Sequence, residues 1–423
     1  MPAPAGRGDT RALVRPGRAA SDRGGCFVCF RRGMPPVGSR HEGAWRAPPG
    51  RDVLEFRARR GSRRGAQDCS RRNESRLAVS LRVATRAPVP VDRRWDTDGV
   101  NDLGWLSEYS EPALRSALRV AGAGLAALPI ELTGTNDLSR PTWAMGSATI
   151  DGRLLAKFAF SEPTAIRVWH EARVLELLGH QPAFDVPELV AASPSPAFLA
   201  TRIVDGGVPL SYELVRASMP DRVDAIGAEL ARFLANLHAG EILALARERL
   251  DDPLRIPEPG LQATTDELRF RFTPMIAAPQ RARVNRWCDW VDEQLAAPAE
   301  VAFVHGDFHP YNQLWDAREL RLLLVADFET SGVAEPEYDF RAIPSFGPGV
   351  DLLTSTVDKY VALTGRRLSL ERIMALHVRT TLGDALWRSE AALPLLLARR
   401  GGGTPDDYVD ELAVRFALLG IED

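Results

Sequence analysis

The chain has 423 residues, 45% of them hydrophobic, and its 53 Lys+Arg against 56 Asp+Glu leave a formal net charge of −3. At roughly 100–200 residues per domain, this length accommodates two or three domains with a well-buried core. No run approaches the roughly 18 consecutive apolar residues of a membrane-spanning helix, which excludes a helical spanning protein.

The near-neutral total averages two unlike pieces. Residues 1–94 hold 22 Arg and 8 Asp/Glu, a net of +14, so the remainder carries a net of −17. Arg, Gly, Pro and Ser dominate this leader, and neither a period of 2 nor one of 3.6 persists in it. It fits a disordered extension, or upstream sequence translated from a misplaced start, ahead of an Arg-rich arm for nucleic acid or anionic membrane. A transit peptide fits less well, because the segment is very long and carries acids. Cys26 and Cys29 have zinc-knuckle spacing, but no second Cys/His pair follows at a suitable distance, and His41 and Cys69 are poor candidates to complete it. With no disulfide framework visible, the main body is expected to be a reduced, cytoplasmic protein.

Order is expected from Trp95 onward. Leu103, Leu106, Leu114, Leu118 and Leu125 have near-helical spacing over residues 101–127. Segments 130–133, 142–150 and 154–160 are rich in strand formers, with Asp151-Gly152 as a two-residue hairpin signal between the last two. Residues 166–178 form a predicted helix closed by Gly179, and 186–191 and 198–204 are two further strands. Asp205, Gly206 and Gly207 make a flexible joint, after which the pattern turns helical. Val223, Ile226, Leu230, Phe233, Leu234 and Leu237 mark one face of a helix over 222–238. Helical patterns resume at 281–296 and at several points from 350 to 418, with one β-rich island at 301–328 between them. The expected fold class is α+β: a helix plus a small antiparallel-sheet N-lobe over 95–204, joined to a larger, mainly helical C-lobe over 205–423.

The β-rich island carries the strongest chemical signal. After a short apolar strand it places His305, Asp307 and Asn312 in one loop, with Asp and Asn five positions apart. Fifteen residues beyond Asn312, a second apolar strand ends in Asp327, Phe328 and Glu329. Two Asp residues on separate loops plus an Asn form the oxygen-ligand set that Mg²⁺ prefers. The spacing assigns Asn312 and Asp327 to Mg²⁺, while Asp307 would orient an acceptor hydroxyl and take its proton late.

This H-G-D-x-x-x-x-N run followed by Asp327-Phe328-Glu329 resembles the aminoglycoside phosphotransferase and choline kinase group, the small-molecule branch of the protein-kinase fold. The resemblance covers roughly residues 125–345 by motif, extends more loosely to the end and excludes 1–94. It implies a protein-kinase-like bilobal fold, ATP and Mg²⁺ as cofactors, and transfer of the γ-phosphate to a hydroxyl of a small molecule. A kinase needs a third-strand lysine for the phosphates, held by a glutamate on the next helix. Lys157 and Glu171 stand at those places, and Lys157 is one of only two lysines in the chain, the other being Lys359. The resemblance further puts the loop from Gly134 over the phosphates through backbone N–H groups. It makes 201–204 the hinge against adenine, with Thr201 and Ile203 offering backbone contacts. His305 and Asp339 are expected to brace the catalytic loop, His309 to pack it, and His170 and His238 to be plain helix residues. Glu329, Glu335 and Glu337 would add negative charge beside the acceptor and suit a cation such as an aminoglycoside, although acidic surfaces also serve solubility. Choline-, homoserine- or sugar-type metabolites compete as acceptors, because the shared motifs do not separate them. A catalytically inactive, kinase-like regulatory binder is the rival from another class, and nucleic acid is a partner only through residues 1–94.

Overall fold

The turn at Asp151-Gly152 organises the first lobe. Both residues adopt left-handed backbone angles, φ 53° and 62°, the conformation that Asp and Gly tolerate best. They bend β2 (Met145–Ile150) back onto β3 (Leu154–Ala159), with Ile150 opposite Leu154, so the connection has three residues rather than two. In this computed structural model the described residues are 103–120, 124–181, 183–210, 222–250, 263–345, 349–395 and 403–421. The leader, including Cys26, Cys29 and Cys69, lies outside them.

β1 (Ile130–Thr135), β4 (Leu189–Pro194) and β5 (Ala197–Arg202) complete an antiparallel sheet in the order β1-β2-β3-β5-β4. Side chains alternate across a strand, so β3 presents Leu154, Ala156 and Phe158 to one face and Lys157 and Ala159 to the other. The first face is covered by Leu114 and Leu118 of α1 (Glu111–Val120), where Phe158 stacks on Phe198 with centroids 5.6 Å apart. The second face receives Ala165, Val168 and Ala172 of α2 (Glu162–Gly179), which is why Lys157 ends up beneath that helix.

Several elements differ from the sequence pattern for local reasons. The predicted 142–150 strand is shortened because Pro141–Trp143 forms a 3₁₀ turn, with Pro fixing its first φ. The 101–127 helix contracts to α1, with a separate 3₁₀ turn at Leu125–Ala127 entered through Gly124 at φ 72°. α2 starts four residues before the predicted position, because Ser161 and Thr164 form a reciprocal capping box and Pro163 suits a first turn. It ends at Gly179 as expected, but His180 caps it in a right-handed conformation.

The second lobe wraps helices around two short β-ladders. α3 (Val223–Leu237), α4 (Gly240–Arg249) and α5 (Ala278–Ala296) precede β7 (Ala302–Val304), which pairs with β10 (Gly332–Ala334). β6 (Gly207–Pro209), β8 (Gln313–Asp316) and β9 (Arg321–Val325) form the other ladder. α6 (Glu337–Phe340), α7 (Val350–Thr364), α8 (Leu370–Glu390) and α9 (Pro405–Leu419) complete the chain. Trp287 stacks on Phe416 and Phe233 on Phe308, with centroids 5.2 and 5.8 Å apart, inside one continuous core. The second lysine, Lys359, ties α7 to α3 through Asp224 at 2.9 Å. Among the described residues no helix is long and apolar enough to cross a membrane.

Because the Ser161 cap anchors the helix that carries Glu171, Ser161→Ala should cost about 1 kcal/mol of stability in urea unfolding.

Candidate active site

Three segments far apart in sequence converge on one ammonium group. Lys157 Nζ donates to Glu171 Oε2 at 2.8 Å and Oε1 at 3.0 Å, and to Asp327 Oδ1 at 2.5 Å. Only 8% of Lys157 is exposed, and a buried cation is tolerated only when paired. Burial alone would lower its pKa, but Asp327 and Glu171 override this and hold the ammonium well above its ordinary value. For Asp327, burial pushes upward, and the pull of Lys157 keeps the carboxyl below the usual range. Asp327 itself sits at φ 71°, a left-handed conformation uncommon for a non-glycine residue, at the head of the 3₁₀ turn Phe328–Thr330.

A second buried pair stands beside the first. Arg167, one helical turn before Glu171 on α2, binds Glu329 Oε1 at 3.0 Å and also donates to the Thr142 carbonyl. Burial raises the Glu329 pKa to about 7, and its Oε2 has no hydrogen-bond partner. Trp143, next to Thr142, stacks on Trp387 of α8 with centroids 5.5 Å apart and an interplanar angle of 29°. Arg167 lies over the Trp143 ring at 5.9 Å and Arg388 over the Trp387 ring at 5.5 Å.

The loop after β7 is held from several sides. Gly306 adopts φ +84°, and a Cβ there would lie 2.1 Å from the Thr330 carbonyl oxygen, so only glycine fits. His305 is fully buried, which lowers its pKa. Its Nδ1 accepts from the Asp307 amide at 3.2 Å, so the proton belongs on Nε2, which donates to the Ala326 carbonyl at 2.9 Å. Asn312 Nδ2 donates to the Asp307 carbonyl at 3.0 Å and to its Oδ2 at 3.3 Å, so Oδ1 is the acceptor atom of this amide. His309 caps the turn that follows, accepting from the Tyr311 amide at 3.0 Å.

Asp339 lies beneath this loop with no exposure. Its carboxylate accepts from the His305 amide at 2.8 Å, the Gly306 amide at 2.9 Å and His238 Nε2 at 3.0 Å. Burial would raise its pKa, but His238 and the other donors hold it below the ordinary value.

Gly134 departs from the position that the motifs imply, whereas Thr201 and Ile203 lie at and just after the end of β5. Gly134 lies within β1, paired with Ser147 next to an irregularity after Leu132, rather than in the loop beyond the strand. Thr201 sits inside β5 between Leu155 and Leu189, and the Ile203 amide donates to the Arg153 carbonyl at 2.9 Å. The three glutamates do not form a free acidic surface. Glu329 pairs with Arg167, Glu335 with Arg372, and Glu337 is buried and accepts from the Ser369 amide at 3.4 Å. Three residues support the site beyond the sequence reading, which took His170 and His238 for plain helix residues and did not single out Arg167. His238 holds Asp339, Arg167 holds Glu329, and His170 Nε2 meets the Ser331 carbonyl at 2.8 Å, joining α2 to the Asp327 loop. A polar side chain on an otherwise apolar helix face was the available signal for the first two.

A depressed native pKa means that Asp339 contributes stability present above its unfolded pKa of about 3.9 and lost as pH falls through the native value. Asp339→Asn should therefore lower stability by roughly 3 kcal/mol at neutral pH. Its melting temperature should converge on that of the unaltered chain only as pH falls through the depressed native value, in a pH series of thermal melts.

A family model described as "Phosphotransferase enzyme family" matches residues 134–358, more than half of the chain. Among solved structures, the GDP complex of wild-type aminoglycoside 2'-phosphotransferase-IIIa aligns at 16% identity with a TM-score of 0.53, covering 71% of this chain and 99% of that one. The GDP complex of a single-residue variant of that enzyme aligns at 17% identity with a TM-score of 0.51, covering 71% and 97%. No curated protein matches by sequence. The likeness to these structures establishes the α+β, two-lobed kinase-like fold, and the family match establishes the class: this chain belongs to the phosphotransferase enzyme family.

Proposed function

We propose that this enzyme transfers the γ-phosphate of ATP to a hydroxyl of a small molecule, with Asp307 facing the acceptor and Lys157 facing the phosphates. The observation that carries this is the convergence of Lys157, Glu171 and Asp327 within hydrogen-bond reach, from β3, α2 and the loop after β9. The donor set fits a hard divalent cation: Asp327 offers carboxylate oxygen, and Asn312, its Nδ2 committed to Asp307, offers Oδ1. Asn312 and Asp327 would hold Mg²⁺, which when bound with ATP neutralises charge on the phosphate oxygens.

Within this frame, Glu171 fixes the Lys157 ammonium so that it meets the nucleotide without searching rotamers. Asn312 steadies the Asp307 carboxylate, which is a weak base and acts mainly by orienting the hydroxyl and accepting its proton late. His305 has both ring nitrogens committed and takes no part in proton transfer. Aminoglycoside-type polyols are the first acceptor class to test, supported by the net −17 of residues 95–423 and by what the first structural neighbour is named for. Because Glu329, Glu335 and Glu337 spend their charge internally, amino-alcohol and sugar metabolites belong in the same screen.

The test is an ATP-consumption screen of the full chain against aminoglycosides, choline-like amino-alcohols and sugars; bound ATP with no consumption in any arm would overturn phosphotransfer to these acceptors. Asp307→Asn should lose about 10²–10⁴-fold in turnover while keeping ATP affinity. Asp327→Ala should abolish Mg²⁺-dependent nucleotide binding in titration calorimetry.

A further inference from the structure

The backbone of Gly306 is gripped at both ends, and only one of the two grips follows from the motifs. Its amide donates to Asp339 Oδ1 at 2.9 Å, while its carbonyl accepts from Arg341 Nη2 at 2.7 Å. Both partners come from one short stretch at the end of α6, two residues apart. We propose that Arg341 is a positioning residue for phosphoryl transfer: it clamps the Gly306 carbonyl and so fixes the peptide that aims Asp307. This rests on the role proposed above for Asp307.

The placement of Arg341 is costly for a residue that only fills space. It is 4% exposed, and among the described residues it makes no ion pair. Instead its two Nη groups donate to carbonyls, Gly306 and Tyr338, each at 2.7 Å, and its Nε has no partner. The guanidinium plane rests on the Tyr338 ring at 3.9 Å, which offsets part of the desolvation. Burying a guanidinium without a counter-charge is costly, so packing alone gives no reason to keep Arg here. What an apolar chain cannot do is hold two carbonyls with a rigid planar fork.

The clamp is itself held from behind. His377 Nδ1 donates to the Arg341 carbonyl at 2.7 Å, and His377 Nε2 accepts from Arg415 Nη1 at 3.0 Å. His377 is fully buried, and Arg415 is fixed on α9 by Glu411 at 2.9 Å. A continuous set of hydrogen bonds therefore runs from α9 through α8 to the peptide before Asp307. Gly306 cannot escape it sideways, because the Thr330 carbonyl closes the third side.

The experiment compares Arg341→Met, Arg341→Lys and Arg415→Met with the unaltered chain. It reads ATP hydrolysis with water as acceptor, Mg·ATP affinity by calorimetry, and hydrogen–deuterium exchange of the 303–314 and 145–159 peptides. Arg341→Met should lower hydrolysis by roughly 10–100-fold with ATP affinity held within about twofold, because a small misplacement of a catalytic group acts on turnover. Arg341→Lys should recover part of the loss, and Arg415→Met should show a smaller loss in the same direction. Exchange should rise in 303–314 and stay unchanged in 145–159. Unaltered hydrolysis and exchange in Arg341→Met overturn the clamp, as does loss of rate and affinity together with faster exchange in both peptides. If Arg341→Met does not fold, Arg415→Met decides, and unchanged 303–314 exchange there overturns the proposal. Asp307→Asn is run alongside: hydrolysis at the unaltered rate in that variant refutes the role of Asp307, whatever the Arg341 variants do.

Discussion

The arrangement depends on a single buried ammonium. Lys157 is shared between Glu171 and Asp327, so three segments must be in register before any of the three charges is tolerable. This imposes a position on α2 against the sheet and a position on the Asp327 loop against α2. Arg167 and His170, in the turn before Glu171, repeat the constraint with Glu329 and Ser331. Lys157, Arg167 and His170 thus give the contact between helix and loop a row of polar bonds. A shift of α2 by one residue would part Glu171 from Lys157 and Arg167 from Glu329, leaving Lys157 with Asp327 alone.

Much of this was legible in the sequence, and the pattern of what was not is physical. Lys157, Glu171, Asp307, Asn312 and Asp327 each sit on an element announced locally: a hairpin turn, a periodic helix, or an apolar strand ending in a polar loop. His238, Arg167 and Arg341 were not legible as support, because each acts across a long sequence separation on a group whose position only the fold decides. The Gly134 register failed for a related reason. Cross-strand pairing carries β1 through Thr135, and a strand irregularity has no signature in one strand alone. Helix starts were missed by a few residues where the cap, Ser161 with Thr164, speaks more clearly than the apolar period.

Charge is spent inward around the catalytic elements. The acids that looked like an acceptor surface each have a nearby donor, and Asp339 is saturated by three of them. The local electrostatics therefore serve precision of placement first. A net acidic body still biases the encounter with cations over distances near the Debye length, an influence on approach rather than on seating.

The indole pair at Trp143 and Trp387 ties the ends of this arrangement together. Trp143 belongs to the turn leading into β2, Trp387 to the far end of α8, and Arg167 reaches from that turn to Glu329. Parting the lobes would mean separating two stacked aromatic faces, a contact made by neither the phosphate-facing nor the acceptor-facing residues. Helix α8 thus joins two constraints: the same helix that backs Arg341 through His377 also meets the opposite lobe through Trp387.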